Sequence, residues 1–142
     1  MRTIRISVAS FTFVARLERD DAPETSRKFE SLLPFRSKLV HARWSGEACW
    51  IPLADFSLGV GPENLTSRPA PGNILWYAGS ESETEVLVPY GETRFAAKCG
   101  ELAGNHFLTV VEGVADLPKL GRLVLWSGAQ DVVFERSLVG TK

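Results

Sequence analysis

Polar and apolar residues alternate through Thr3-Ile4-Arg5-Ile6-Ser7-Val8, and short extended runs of the same kind recur to the far end of the chain. Alternation with period two places one strand face toward a core. Phe11 to Leu17 forms the next run, rich in aromatic and branched residues, with Ser7 to Ser10 available for a turn or bulge between the two. Leu39 to Trp44 and Ala48 to Leu53 flank Ser45-Gly46-Glu47 as a hairpin, and residues 57 to 72 are rich in glycine and proline, the composition of a loop. Further strands fit Ile74–Ala78, Glu85–Val88, Phe107–Glu112, Arg122–Trp126 and Val132–Arg136.

A helix is signalled at only two places. Asp20 and Asp21 can cap an N-terminus, Pro23 suits a first turn, and Phe29, Leu32 and Leu33 give one apolar face before Pro34. A second, short helix can start near Asp116, with Pro118 in its first turn and Gly121 just past its end. So many strands would expose sticky edges unless the sheet closes. The fold expected is mainly β: a closed barrel with two short helices capping its ends, formed by residues 1–142 as a single domain.

Composition excludes several classes of function. A net charge of −1 gives no electrostatic footprint for nucleic acid or a membrane surface. No apolar run reaches membrane-spanning length, and the N-terminus reads as a strand, not a signal peptide. Cys49 and Cys99 match no metal or redox spacing, so two reduced thiols in a cytoplasmic protein are the simplest account. Nucleophile elbow, phosphate loop and dinucleotide-binding glycine patterns are all missing, and no cofactor is expected.

Chemistry-bearing residues gather instead in His41-Ala42-Arg43-Trp44-Ser45-Gly46-Glu47 and a few later positions. His41 and Arg43, two apart, would share a strand face. Arg43 offers a planar fork for a carboxylate or carbonyl, or it forms a structural ion pair with Glu47 or Glu85. Of Trp44 and Trp50, one is expected to pack and the other is open to lining a pocket. His106 is either an acid–base group or a histidine bonded to a loop. Neither histidine has metal-ligand spacing, so no metal site is expected. In the acidic run from Ser80 to Glu85, Glu85 is the carboxylate best placed to reach Arg43. Glu63 to Thr66 lies in the long loop, where function and turn-capping are equally plausible.

Several segments together resemble the cyclophilins. FTFVARLERDDAPETSRKFESLL (11–33) is similar to their opening strand and helix, and LVHARW (39–44) to the strand carrying their catalytic arginine. PGNILWYAG (71–79) is similar to their Pro-Gly-x-Leu strand, and GNHFLTVVEGVADLPKL (104–120) to their Gly-Lys-His strand and following helix. His-Ala-Arg-Trp-Ser-Gly-Glu, Ser-Glu-Thr-Glu and Ala-Gly-Asn-His-Phe bring the chain closer still to a bacterial group of cyclophilin-like proteins of uncharacterised function.

The resemblance implies a cyclophilin-like barrel and gives Arg43 the place of the catalytic arginine. It departs where active cyclophilins carry Gly-Phe-Met and Gln-Gly-Gly-Asp, and Leu87 and Glu101 stand where pocket aromatics are expected. The reading is therefore a binding domain. A groove on the barrel face near Arg43, Trp50, Tyr77, Glu85 and His106 would take a small molecule or short peptide. The alternatives are a peptidyl-prolyl isomerase using Arg43, and a structural domain that assembles as a homo-oligomer.

Overall fold

The computed structural model describes residues 3–137. Its strands are β1 (Thr3–Val8), β2 (Phe11–Leu17), β3 (Phe35–His41), β4 (Gly46–Pro52), β5 (Leu65–Thr66), β6 (Asn73–Tyr77), β7 (Glu85–Thr93), β8 (Ala96–Ala97), β9 (Gly100–Glu101), β10 (Gly104–Glu112) and β11 (Gln130–Ser137). Helix α1 spans Pro23–Glu30; α2 spans Leu117–Ser127 behind a 3-10 turn at Val114–Asp116.

Among the described residues eight strands close into an antiparallel barrel in the order β2-β1-β11-β3-β4-β7-β6-β10, with β10 pairing back onto β2. β5 adds to the start of β10, and β8 pairs with β9 outside the barrel. Register follows the alternation. Ile6 faces Phe13 on one side and Phe134 on the other, and Val8 faces Phe11 and Val132. The inner face of β1 and its neighbours is thus apolar along these rungs. Bulges at His106/Leu108 and Val110/Glu112 bend β10 where it changes partners. The interior is filled. Its residual void, between Ile6, Phe13, Leu39, Val88, Leu120 and their neighbours, is about 10 Å³. That is barely room for one water, so no ligand enters the barrel itself.

The helices close the two ends. Phe29 of α1 is fully buried, its ring edge-on to Phe107 (4.9 Å), Phe134 (5.4 Å), Phe35 (5.5 Å) and Trp76 (6.2 Å). At the other end Leu117, Leu120 and Val124 of α2 are buried.

Several local expectations need correction. Asp20 and Asp21 do not cap α1: the N-cap is Ala22, without a side-chain cap. The carboxylate of Glu63 reaches across from the long loop and accepts the backbone N–H of Thr25 at 2.6 Å and of Glu24 at 3.4 Å. A negative group at that end also meets the helix dipole favourably. Asn105 fixes this arrangement: its Oδ1 accepts from Glu63 N, and its Nδ2 donates to Gly61 O and Thr25 Oγ1. Leu32 and Leu33 lie in the turn beyond α1 but still pack on the core. Residues 122–126 are helix, not strand, because the Leu117, Leu120, Val124 spacing prevails over branched composition. Gly121 lies mid-helix because the ring of Tyr90 packs on it; a Cβ there would sit 2.4 Å from that ring.

β3 starts at Phe35 and stops at His41, so Arg43 and Trp44 fall in the hairpin loop and not on the strand. His41 already stands opposite Cys49, and the chain must turn at once, closed by Ala42 N–H to Ala48 O at 2.9 Å. Among the described residues no helix is long and apolar enough to cross a membrane.

Phe29 joins α1 to four strand-borne or strand-adjacent aromatics, so Phe29→Ala should cost about 3–5 kcal/mol. Urea unfolding measures this; a loss under about 1 kcal/mol would place the core elsewhere.

Candidate functional site

Strand alternation makes an outward ladder as well as an inward one. Trp50, Leu87 and Leu75 face one another across β4, β7 and β6, and Pro52, Glu85 and Tyr77 form the next rung. Left bare, these side chains would be a sizeable exposed apolar patch. The segment after β7 folds back over them instead. Phe95 and Leu102 join Ala48, Leu75, Tyr77 and Leu87 in a second small core outside the barrel, with Ala42, Trp50 and Ala97 packed against it. Tyr77 and Phe95 meet edge-on at 5.5 Å.

Ser45 ties this cover to the β3–β4 loop. Ser45, in the β3–β4 loop, is buried; its hydroxyl accepts from Ala96 N and donates to Ala96 O, both at 3.1 Å, while its carbonyl accepts from Arg94 N. Loop and cover are thereby held side by side. Between them lies a cleft of about 520 Å³, with walls from residues 40–45, Trp50, Ser82, Glu83, Glu85 and residues 96–98.

Glu85 is the chemically distinctive group in the cleft. It is only 6% exposed, and among the described residues its carboxyl has no hydrogen-bond or ion-pair partner. Burial, reinforced by the nearby charge of Glu83, pushes its pKa up to about 8. It is therefore mostly protonated at neutral pH. Arg43 and Lys98 line the same cleft from exposed positions. Neither of the structural pairs considered for Arg43 forms. Among the described residues it has no ion pair, and the Glu47 carboxylate accepts Glu92 N–H at 2.8 Å instead. Trp50, half-buried, is a wall packed on the second core; Trp44 is 56% exposed at the cleft edge.

His41 also lines the cleft, but its ring is engaged. Nδ1 donates to the Ala42 carbonyl, which leaves Nε2 to accept the Tyr90 hydroxyl, each at 2.8 Å. Cys49 faces the core, and burial raises its thiol to about 12, which makes it inert.

Of the residues singled out from the sequence, Arg43, Trp50 and Glu85 share the cleft. Tyr77 is behind it. Its hydroxyl accepts Glu81 N–H and bonds Ser80 Oγ, which steadies the loop carrying Glu83. His106 is not among the lining residues. It pairs with Leu75 one strand further round, and Thr109, which donates to Glu18, accepts from its Nε2 at 2.8 Å. Burial lowers the pKa of His106. In the sequence Glu83 reads only as part of the acidic run and Ser45 only as a turn residue, and the Ala96–Lys98 wall has no signal; folding alone brings them together. Among the described residues no three His, Cys, Asp or Glu side chains converge as metal donors.

A family model described as a protein of unknown function (DUF3830) matches residues 4–136. Two solved structures are similar in fold. McbB, determined in complex with tryptophan, is 22% identical with a TM-score of 0.73; the match covers 95% of this chain and 45% of McbB. The hypothetical protein AF2241 from Archaeoglobus fulgidus is 18% identical with a TM-score of 0.63, over 96% of this chain and 95% of that one. This chain thus spans under half the length of McbB, and both likenesses are of fold alone. No curated protein matches the sequence.

The raised pKa of Glu85 has a definite sign in stability. The folded state keeps a proton that the unfolded chain releases near 4.5, so stability is lost as pH climbs from there through about 8. Glu85→Gln cannot ionise. Its stability relative to the parent should rise by up to about 1.4 kcal/mol per pH unit across that window. Denaturant melts from pH 5 to 9 test this; parallel profiles would mean that Glu85 ionises freely. Ser45→Ala should open the cover with little loss of barrel stability, read as faster amide exchange at Ala96.

Proposed function

The chain belongs to this family of unknown function, and we propose from its geometry that it is a binding domain whose cleft takes a small molecule or a short peptide. One observation carries the reading: a cleft of about 520 Å³ whose one buried carboxyl and one rim guanidinium have no protein partner among the described residues. Ligand sites are commonly concave spaces of roughly 300–1,000 Å³, mostly apolar, with few polar groups. A carboxyl buried for a structural role would call for a partner. Arg43 at the rim suits a carboxylate or carbonyl through a charge-assisted hydrogen bond. McbB, of similar fold, forms a complex with tryptophan, which is in keeping with a small ligand bearing polar groups at one end.

The closed barrel with two end helices is compatible with the cyclophilin resemblance, and Arg43 keeps the prolyl isomerase reading as the alternative. Such an enzyme would weaken amide conjugation against a barrier of about 18–20 kcal/mol. The proline slot is the weak point. Leu87 is buried under the second core, and Glu101 is exposed on β9 within 3.9 Å of Arg94. No apolar floor is therefore open at either position.

A thermal-shift screen against metabolites and prolyl peptides tests the binding reading, since a ligand of the folded state raises its melting temperature. Arg43→Lys should change stability by less than about 1 kcal/mol yet abolish the shift given by a hit that uses the rim, because lysine lacks the planar fork. An Ala-Pro peptide assay should show little or no catalysis. Robust turnover that vanishes in Arg43→Ala would replace binding with isomerisation.

A further inference from the structure

We infer that the inner end of the cleft is an amine site: Glu85 takes the protonated amine of a ligand whose apolar body lies along Trp50, with its outer end left to Arg43 and Lys98. The inference rests on the ligand-cleft reading above and narrows it to a chemical class.

The first argument is a contrast between two buried carboxylates. Glu30 is also buried, and Arg19 reaches it at 2.8 Å and Arg136 at 3.6 Å. That is how this chain treats an acid it buries for structure. Glu85 is buried to the same degree, opens onto a cavity, and among the described residues has no partner. Burying a polar group without compensation is costly. The cost falls when a ligand supplies the missing partner.

The second argument is the arrangement of charge. The titratable groups at the cleft are Glu85, Glu83, Arg43, Lys98 and His41. Both ring nitrogens of His41 are committed within the protein, and Glu83, Arg43 and Lys98 are exposed. Among these groups the one that is buried is an acid, while both cationic side chains stand at the rim. An anionic group directed inward would meet Glu85 with Glu83 close by; directed outward it meets Arg43 and Lys98. A cationic group has the opposite preference. Trp50 adds an aromatic face beside the acid, which favours an organic cation with an apolar body. A bare divalent cation would find a single buried carboxyl, fewer oxygen ligands than such an ion requires.

Binding then moves a proton. Glu85 starts largely as the neutral acid, and an ammonium ligand is best held by the carboxylate. One proton leaves Glu85 for solvent as the ammonium–carboxylate pair forms, so amine binding strengthens as pH rises toward the point at which Glu85 ionises unaided.

The test is a 1H–15N NMR titration with phenethylamine, a protonated amine on an aromatic body, and 3-phenylpropionate, its anionic counterpart. The full chain is used as the parent, Glu85→Gln and Glu81→Gln, the last changing an exposed charge outside the cleft wall. Phenethylamine should shift the Trp50 indole and Ala97 signals in the parent and in Glu81→Gln, at least tenfold more tightly than in Glu85→Gln, the worth of about one charge-assisted hydrogen bond. Its affinity for the parent should rise by up to about tenfold per pH unit from pH 6 toward 8. That second measurement keeps the inference testable should Glu85→Gln fail to fold. Equal amine affinity in parent and Glu85→Gln, or affinity flat with pH, overturns the amine site. If 3-phenylpropionate or an Ala-Pro peptide shifts the cleft signals and phenethylamine does not, the amine site falls while the ligand cleft stands. If none of them shifts the cleft signals, both fall.

Discussion

Pairing of β10 with β2 turns an open sheet into a ring, and the remaining features follow from that closure. Leu108 meets Leu17, Val110 meets Ala15, and Glu18 N–H continues the ladder to Phe107 O just beyond β2. A ring of eight strands has an inside that side chains can fill and two open ends. The inside is filled to within a void of about 10 Å³, so chemistry is displaced to the outer face. The ends need covers, and α1 and α2 supply them, each with its apolar side inward. β10 can serve both as closing strand and as partner of β5 and β6 because two bulges re-aim it along its length.

The cleft arises from a second packing problem. β4, β7 and β6 carry large apolar residues on both faces, and the outward set must be covered too. A short excursion after β7 provides that cover, with Phe95 and Leu102 as anchors. The cover meets the rung of Glu85 at Tyr77 but leaves Glu85 facing the cleft. The β3–β4 loop, tied to the cover through Ser45, forms the opposing wall, and the space left between them is the cleft. An acid at the base of such a space is held in a medium that disfavours its charge. Its raised pKa follows first from burial, with a further push from the nearby charge of Glu83.

Tethering of the long loop after β4 is of the same kind. Glu63 caps α1 from nearly forty positions away in the chain, and Asn105 bonds loop and helix together. The loop is therefore anchored at one end of the barrel, away from the cleft. Its glycine and proline content gives the backbone freedom to reach α1, and the anchoring residues give it a fixed place.

The sequence by itself determined most of the barrel strands, both helix starts and the closed β architecture, because period-two alternation and helix-entry prolines are local signals that survive folding. It also singled out Arg43, Trp50 and Glu85, which the fold brings to one cleft. Only tertiary structure decided the rest. Val124-Leu125-Trp126 reads as a strand by composition and is helical because Val124 has to bury beside Leu120. Arg43 reads as strand-borne and lies in a loop because His41 already faces Cys49. His106 and Glu85 read as lining one groove, yet His106 is bonded to Thr109 one strand beyond Leu75. Glu85 reads as the acid of its run best placed to reach Arg43, but its burial has no signal there, because desolvation is a property of what packs around a group after folding.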